Sequence, residues 1–413
     1  MTTSPEWVRI FWIMDSRGMN MKQPDLRKWR CTGTYAVLQA ATWSFYAIVM
    51  AFSSNVLYEY GYSDSAISLV MGLSTALSVA VQVGSGELLS RSRSVGVHTV
   101  LIFFGAVLML GGLSLLLPGL LPWVAAVLFG MLSMLLQTLP SLTNSMGMDS
   151  IRRGAPTDYS FARGMGSLGY SVLALLTGAM VRKYGIRSVY ILTAITGVVL
   201  MAAAYGYRKA AGAQEEAKEE AVRKEKGGFL TRYPRFSVFL FGMSFLCVSH
   251  TLLCNFMYQI MLTRGGEAME QGIATSISSL VELPIMFGFP FLLRKLRCDR
   301  WVRFAAFAMA LKPLLILMSG NPEGIYLAQA TQSIGYGLWV IGSVNYAERV
   351  VDAGESIRAQ SYHGAVTTVS TVAALSTGGV IIDYLGTEVL LLVSLVCSLV
   401  GAVIVAFSAQ KTE

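Results

Sequence analysis

The sequence has little charge. Asp, Glu, Lys and Arg make up 14% of its 413 residues, against about a quarter in an ordinary soluble domain. Too few charged side chains remain to clothe a water-soluble globule of this length. Histidine and cysteine are also sparse, at three and five residues. They show no metal-binding spacing, so no metal ligand is expected. Nucleophile–base pairs and phosphate-binding loops are missing too, so no catalytic residue is assigned and the chain is read as not an enzyme. Period-2 alternation is absent, which excludes a β-barrel. No cleavable leader is expected: Arg9, Arg17, Lys22, Arg27 and Arg30 occupy the first 30 residues, with no continuous apolar core before Cys31. The first apolar run then serves as its own insertion signal.

What the sequence has in abundance is apolar length: 54% of its residues are hydrophobic. Runs of about 20 apolar residues recur from Thr32 to Phe407, each long enough to cross a bilayer core. Backbone groups in hydrocarbon must satisfy themselves, so these runs are helices. Twelve spans are expected, at about 31–55, 64–89, 95–117, 121–146, 158–181, 186–207, 236–262, 268–293, 301–319, 322–347, 356–381 and 386–408. Turn chemistry marks the breaks, as at Pro118-Gly119, Tyr184-Gly185, Arg264-Gly265-Gly266 and Asn321-Pro322.

The net charge of +8 does not point to nucleic acid, because the cations sit in short loops between spans. Arg91, Arg93, Arg152, Arg153, Arg294, Lys295, Arg297, Arg300, Arg303, Arg349 and Arg358 gather on one side; Arg182, Lys183, Arg187 and Arg264 lie on the other. That asymmetry places both termini in the cytoplasm and the chain in the cell membrane. Cys31, Cys247, Cys254, Cys298 and Cys397 then avoid outward loops, and no structural disulfide is expected.

Residues 208–235 mix Glu with Lys and Arg at helix-favouring i,i+4 spacing, as in Glu219–Arg223 and Glu220–Lys224, and read as a solvated cytoplasmic linker. The organisation is therefore a cytoplasmic segment (1–30), a six-helix half (31–207), the linker (208–235) and a second six-helix half (236–413). The halves look related. Thr177-Gly178 through Tyr184-Gly185 matches Thr377-Gly378 through Tyr384, and Gly164 matches Gly364, all at one offset of 200 residues.

Six plus six spans, a charged middle segment and Ala162-Arg163-Gly164-Met165-Gly166-Ser167-Leu168-Gly169-Tyr170 resemble the major facilitator superfamily, and within it the branch of lactose permease and the nucleoside–proton symporters. The resemblance implies an all-α membrane fold of twelve helices in two pseudo-symmetric halves. It implies alternating access about a midplane site, and a solute-binding role for Arg163. There are departures. Gly86-Glu87-Leu88-Leu89-Ser90-Arg91-Ser92-Arg93 stands where the family's gate loop carries an aspartate. Asn144 stands where lactose permease has a sugar-holding carboxylate. Gln332 and Gly335 stand where its histidine and protonating glutamate lie. Lys312 falls where it has an arginine.

Charges inside spans are costly and usually face a cavity or a partner. Glu282, before Pro284 in the eighth span, and Lys312, before Pro313 in the ninth, are expected to pair and to couple transport to a proton. Glu87, with Arg91 and Arg93, belongs with the gate loop. His98 and His250 lie at span level, His250 read as a satisfied core histidine. Three polar–aromatic stripes share helix faces: Gln39, Trp43 and Tyr46; Asn255, Tyr258 and Gln259; Gln332, Tyr336 and Trp339. They suit a hydroxyl-rich or heterocyclic neutral solute; helix–helix hydrogen bonding is the other reading of each.

The resulting expectation is a monomeric proton-coupled symporter for a small polar organic solute, a sugar or oligosaccharide first. It is bathed in lipid, uses no cofactor besides the proton and binds no nucleic acid. The alternatives are a nucleoside–proton symporter, an exporter of amphipathic compounds, and a transport-dead sensor.

Overall fold

The structure, a computed structural model, describes residues 26–91, 96–212, 229–352 and 355–412. These residues form helices and turns, with no strand among them. In order they are α1 (Leu26–Phe45), a π turn (Tyr46–Met50), α2 (Ser53–Glu59), α3 (Asp64–Arg91), α4 (Val97–Ser114), α5 (Pro122–Leu136), α6 (Leu139–Arg152), α7 (Tyr159–Tyr184) and α8 (Arg187–Ala211). The second half runs α9 (Phe229–Arg232), α10 (Pro234–Asn255), α11 (Met257–Leu262), α12 (Ala268–Leu280), α13 (Leu283–Lys295), α14 (Cys298–Ala308), α15 (Leu311–Met318), α16 (Pro322–Ala330), a second π turn (Ser333–Gly337), α17 (Leu338–Arg349) and α18 (Ser356–Ser408). Part of the expected N-terminal segment and most of the expected linker lie outside the described residues.

Every expected span has a helical counterpart, but many are built from two pieces. Among the described residues nine helices are long and apolar enough to cross a bilayer, ten if the bent pair of α1 and α2 counts as one. At about 1.5 Å per residue, α18 is far too long for a bilayer core of about 30 Å. It turns at Gly386, whose φ of +84° only glycine adopts readily, and so supplies the last two expected spans. The π turn at Ser333–Gly337 cuts the tenth span into pieces that are each too short.

Prolines make several of the breaks. Pro284 has no N–H for the Leu280 carbonyl, and the helix is interrupted at Val281–Glu282 between α12 and α13. Pro313 does the same to Met309, between α14 and α15. Broken helices place irregular backbone at membrane depth, which is tolerated where it is covered by protein or lines a cavity.

One apolar core fills the first half around Tyr35, Phe45, Phe52, Phe129 and Leu200. Two fill the second, around Phe236, Phe239 and Trp339 and around Phe256, Ile260 and Leu390. Large apolar side chains also point outward along the helices, among them Leu73, Phe103, Trp123, Phe241 and Phe407. In water so much exposed apolar surface would drive aggregation; against lipid tails it is the required coat. The chain is an integral membrane protein.

The halves meet along two antiparallel helix pairs, α7 with α12 and α3 with α18. Small residues allow the approach. A Cβ on Gly178 would strike the Ala268 carbonyl, and one on Gly272 the Ala174 carbonyl. Ser279 donates to the Ser167 carbonyl at 3.0 Å and Ser171 to that of Ser276 at 3.2 Å. Of the repeated Thr-Gly pairs, only the first sits at a seam: Gly178 packs on α12 of the other half, whereas Gly378 packs on the Phe256 ring of its own half and the adjacent Gly379 meets α3.

Candidate functional site

Two polar clusters face one another across the bundle, one in each half. The first rests on α1, α6 and α7. Gln39 donates from Nε2 to the Tyr35 hydroxyl at 2.8 Å and to Asn144 Oδ1 at 3.0 Å. Tyr159 donates to the same Asn144 oxygen at 3.3 Å. The helix periodicity explains the convergence: Tyr35, Gln39 and Trp43 are four residues apart on α1, and Tyr159 and Arg163 on α7. Arg163 lies with Cζ 4.3 Å above the Trp43 ring, a cation–π stack, and its Nη1 is 3.5 Å from the Ser167 hydroxyl. Trp43 in turn leans on Tyr46, ring centroids 5.4 Å apart. Gln39 Oε1 and Trp43 Nε1 are buried and find no protein partner, so one acceptor and one donor remain unmet.

The second cluster lies where three broken helices meet. Lys312 Nζ donates to Gln332 Oε1 at 2.9 Å, and Gln332 Nε2 donates to Glu282 Oε1 at 2.9 Å. The expected direct pair of Glu282 and Lys312 is thus replaced by a three-residue chain with a neutral amide in the middle. The reason is chemical. An ammonium can only donate and a carboxylate can only accept, so an amide between them satisfies both with one fixed orientation. Lys312 and Gln332 are 5% and 3% exposed, whereas Glu282 is half-buried. Glu282 is within electrostatic reach of both Lys312 and Arg163, and so connects the two clusters. Beside the chain, His250 stacks on Tyr336 with centroids 3.4 Å apart. A void of about 10 Å³, lined by Ser249, His250, Lys312, Gln332 and Tyr336, has room for about one water.

The structure does not bring all the expected residues together. Gln332 has both ends of its amide engaged in the chain rather than free for a solute. Trp339, 2% exposed, packs in the apolar core against Phe239 at 5.7 Å, so it belongs to the core. Tyr258 and Gln259 sit at the seam between halves: Tyr258 against Tyr58 at 5.9 Å, and Gln259 bonded to Ser54 at 3.0 Å and Asp64 at 2.7 Å. Asn255, at the end of α10, turns its amide back to the Thr251 carbonyl at 3.1 Å. Of the gate-loop residues, Arg93 lies outside the described residues, as do the side chains of Glu87 and Arg91.

Tyr35 and Tyr159 complete the first cluster, and their i,i+4 spacing to Gln39 and Arg163 was available as a signal. His363, inside the eleventh expected span, is a further span-level histidine beside His98 and His250; its Nε2 is 2.9 Å from the Ser343 hydroxyl. Asp64 opens α3 and Asp383 lies just before the turn of α18 at Gly386; neither carries a sequence signal.

A model of the MFS_1 like family matches residues 92–390 of the chain. No curated protein matches it. Among solved structures, a mutant of the nucleoside transporter NupG superposes with a TM-score of 0.74 at 12% identity, over 92% of this chain and 100% of that one. An auto-inhibited POT family peptide transporter gives 0.70 at 12%, over 94% and 97%. A bacterial homolog of the human lysosomal transporter Spinster, in an inward-facing unoccupied conformation, gives 0.70 at 11%, over 94% and 98%. At such identities these likenesses concern the fold.

Proposed function

Because the chain belongs to the MFS_1 like family, we propose that this transporter couples the uptake of a small polar organic solute to a proton, with both termini in the cytoplasm. The observation that carries the reading is the Lys312–Gln332–Glu282 chain at three helix breaks, facing Arg163 on the opposite half. A carboxylate held at membrane depth by a bridged cation has a use as an exchangeable proton site. Opposite it, Arg163, Trp43, Tyr46, Gln39 and Asn144 offer the donors, acceptors and ring faces that a polyol ring needs. A sugar or oligosaccharide is the first class. A nucleoside is the second, because a nucleobase would stack on Trp43 in the same way.

Purified protein in proteoliposomes tests this. An imposed inward proton gradient should drive accumulation of a sugar or nucleoside, and a ligand at about 100 times its Kd should stabilise the protein by about 2.7 kcal/mol in a thermal-shift screen. A protein that responds only to amphipathic compounds, and expels them, would establish the exporter reading in its place.

The orientation rests on the Lys and Arg asymmetry. In a cysteine-free background, Gly265→Cys and Gly320→Cys should react with an impermeant thiol reagent added to intact cells, and Ser356→Cys should not. The reverse pattern inverts the topology.

A further inference from the structure

One end of the bundle carries the turns at Gly61, Gly119, Gly185, Gly265 and Gly386; the other, the terminal end, holds Leu26 and Thr412. At the end away from the termini the first turn of α3 meets the middle of α18 in a tight antiparallel register. The N–H groups of Asp64 and Ser65 have no acceptor within their own helix, as at any helix start. They are met by a side chain from the other half: Asp383 Oδ1 accepts from Asp64 N at 3.2 Å, and its Oδ2 from Ser65 N at 2.7 Å. One turn deeper, Ser68 Oγ accepts the Gly379 N–H at 2.6 Å. A Cβ on Gly379 would overlap the Asp64 carbonyl oxygen, and one on Gly72 would press on Ser376.

The Asp64 carboxylate is also held. Tyr58 donates its hydroxyl to it, and Gln259, from the second half, donates Nε2 to it at 2.7 Å while also reaching Ser54. A second amide, Gln271, crosses to the Ala51 carbonyl at 2.6 Å. The second half thus supplies a carboxylate and two amides to the exposed ends of α3 and to the bend after α1.

We propose that Asp383, together with Gln259, is the latch that holds the far end of the transport path closed, by capping the first turn of α3 across the two halves. The carboxylate meets two orphan N–H groups and the positive end of the helix dipole at once. A contact of this kind is made or lost as a unit when one half rocks against the other. Its strength therefore sets how often the far end opens, and Gly379 provides the clearance that lets the carboxylate arrive. The latch does not depend on which solute or ion is carried.

Spin labels on cysteines at Arg187 and Glu323, which lie at the far end in different halves, read this opening in the purified full chain by electron–electron double resonance. A second pair at Arg208 and Arg235 reads the terminal end. Asp383→Leu should raise the far-end long-distance population about fivefold, the change expected from losing about one capping interaction, with the terminal-end distance shortening in step. Gly379→Ala should do the same by wedging the seam, and Asp383→Glu should stay close to the parent. If Asp383→Leu does not give a monodisperse protein, Asp383→Asn is judged by the same criterion. An unchanged far-end distribution in the Asp383 variant overturns the proposal; if Gly379→Ala still opens the seam in that case, packing alone closes it. A failure of proton coupling in the uptake assay would leave this result untouched.

Discussion

Arg163→Lys is expected to raise the solute Kd at least about tenfold, which is about 1.4 kcal/mol. Arg163 lies 4.3 Å over Trp43 and within electrostatic reach of Glu282. It therefore covers the best aromatic face of the first cluster and lies in the field of the acid of the second. A guanidinium lies flat on an indole and still presents N–H groups along its edge, whereas an ammonium is a point charge that does neither job as well. The lysine variant keeps the charge near Glu282, so its stability should change little while binding suffers. Titration of the most stabilising solute class, read beside the thermal midpoint of the unliganded variant, separates the two effects. Equal affinity in a protein of parental stability would mean that Arg163 serves only to neutralise Glu282.

Arg163 is legible in the sequence, and several of its neighbours are not. The spans were readable because hydrocarbon leaves the backbone no choice but helices, and apolar length records that directly. The repeat was readable because close helix packing demands glycine at matching places, Gly178 against the other half and Gly378 against Phe256 of its own. A helical stripe, by contrast, fixes which residues share a face and says nothing about what the face meets. Gln39, Trp43 and Tyr46 point at the first cluster. Tyr258 and Gln259, equally polar and equally periodic, point at the seam, and Trp339 at the core. Amides are the hardest to place. Gln332 was expected to hold solute, yet an amide that both donates and accepts is also the one neutral group able to bridge Lys312 and Glu282. Helix breaks added a second difficulty. Pro284 and Pro313 announced two of the three, but the π turn at Ser333–Gly337 has no proline to announce it. Asp383 was invisible for a different reason: an acid just before a turn is ordinary until the other half's helix is found to start against it.

Glu282→Gln should abolish uphill, pH-driven accumulation while leaving downhill solute exchange. Glutamine matches the protonated acid in shape, and its Oε1 can still accept the 2.9 Å bond from Gln332; what it cannot do is take up or release a proton. A carrier fixed in the protonated form still rocks with solute bound, so counterflow in proteoliposomes survives. The empty carrier can no longer release its proton and reset, so substrate-induced alkalinisation in a lightly buffered suspension disappears. Lys312 is the complication. With the carboxylate gone, its buried ammonium has the Gln332 oxygen and no anion, and an uncompensated buried charge costs about 3–5 kcal/mol. The double variant Glu282→Gln, Lys312→Met should therefore regain stability lost by the single one without regaining accumulation. Stability that returns together with pH-driven accumulation would place the proton elsewhere, with His250 the next group to replace. Accumulation that survives in Glu282→Gln itself would remove Glu282 from the coupling altogether, and would leave the Lys312–Gln332–Glu282 chain as a brace for three broken helices.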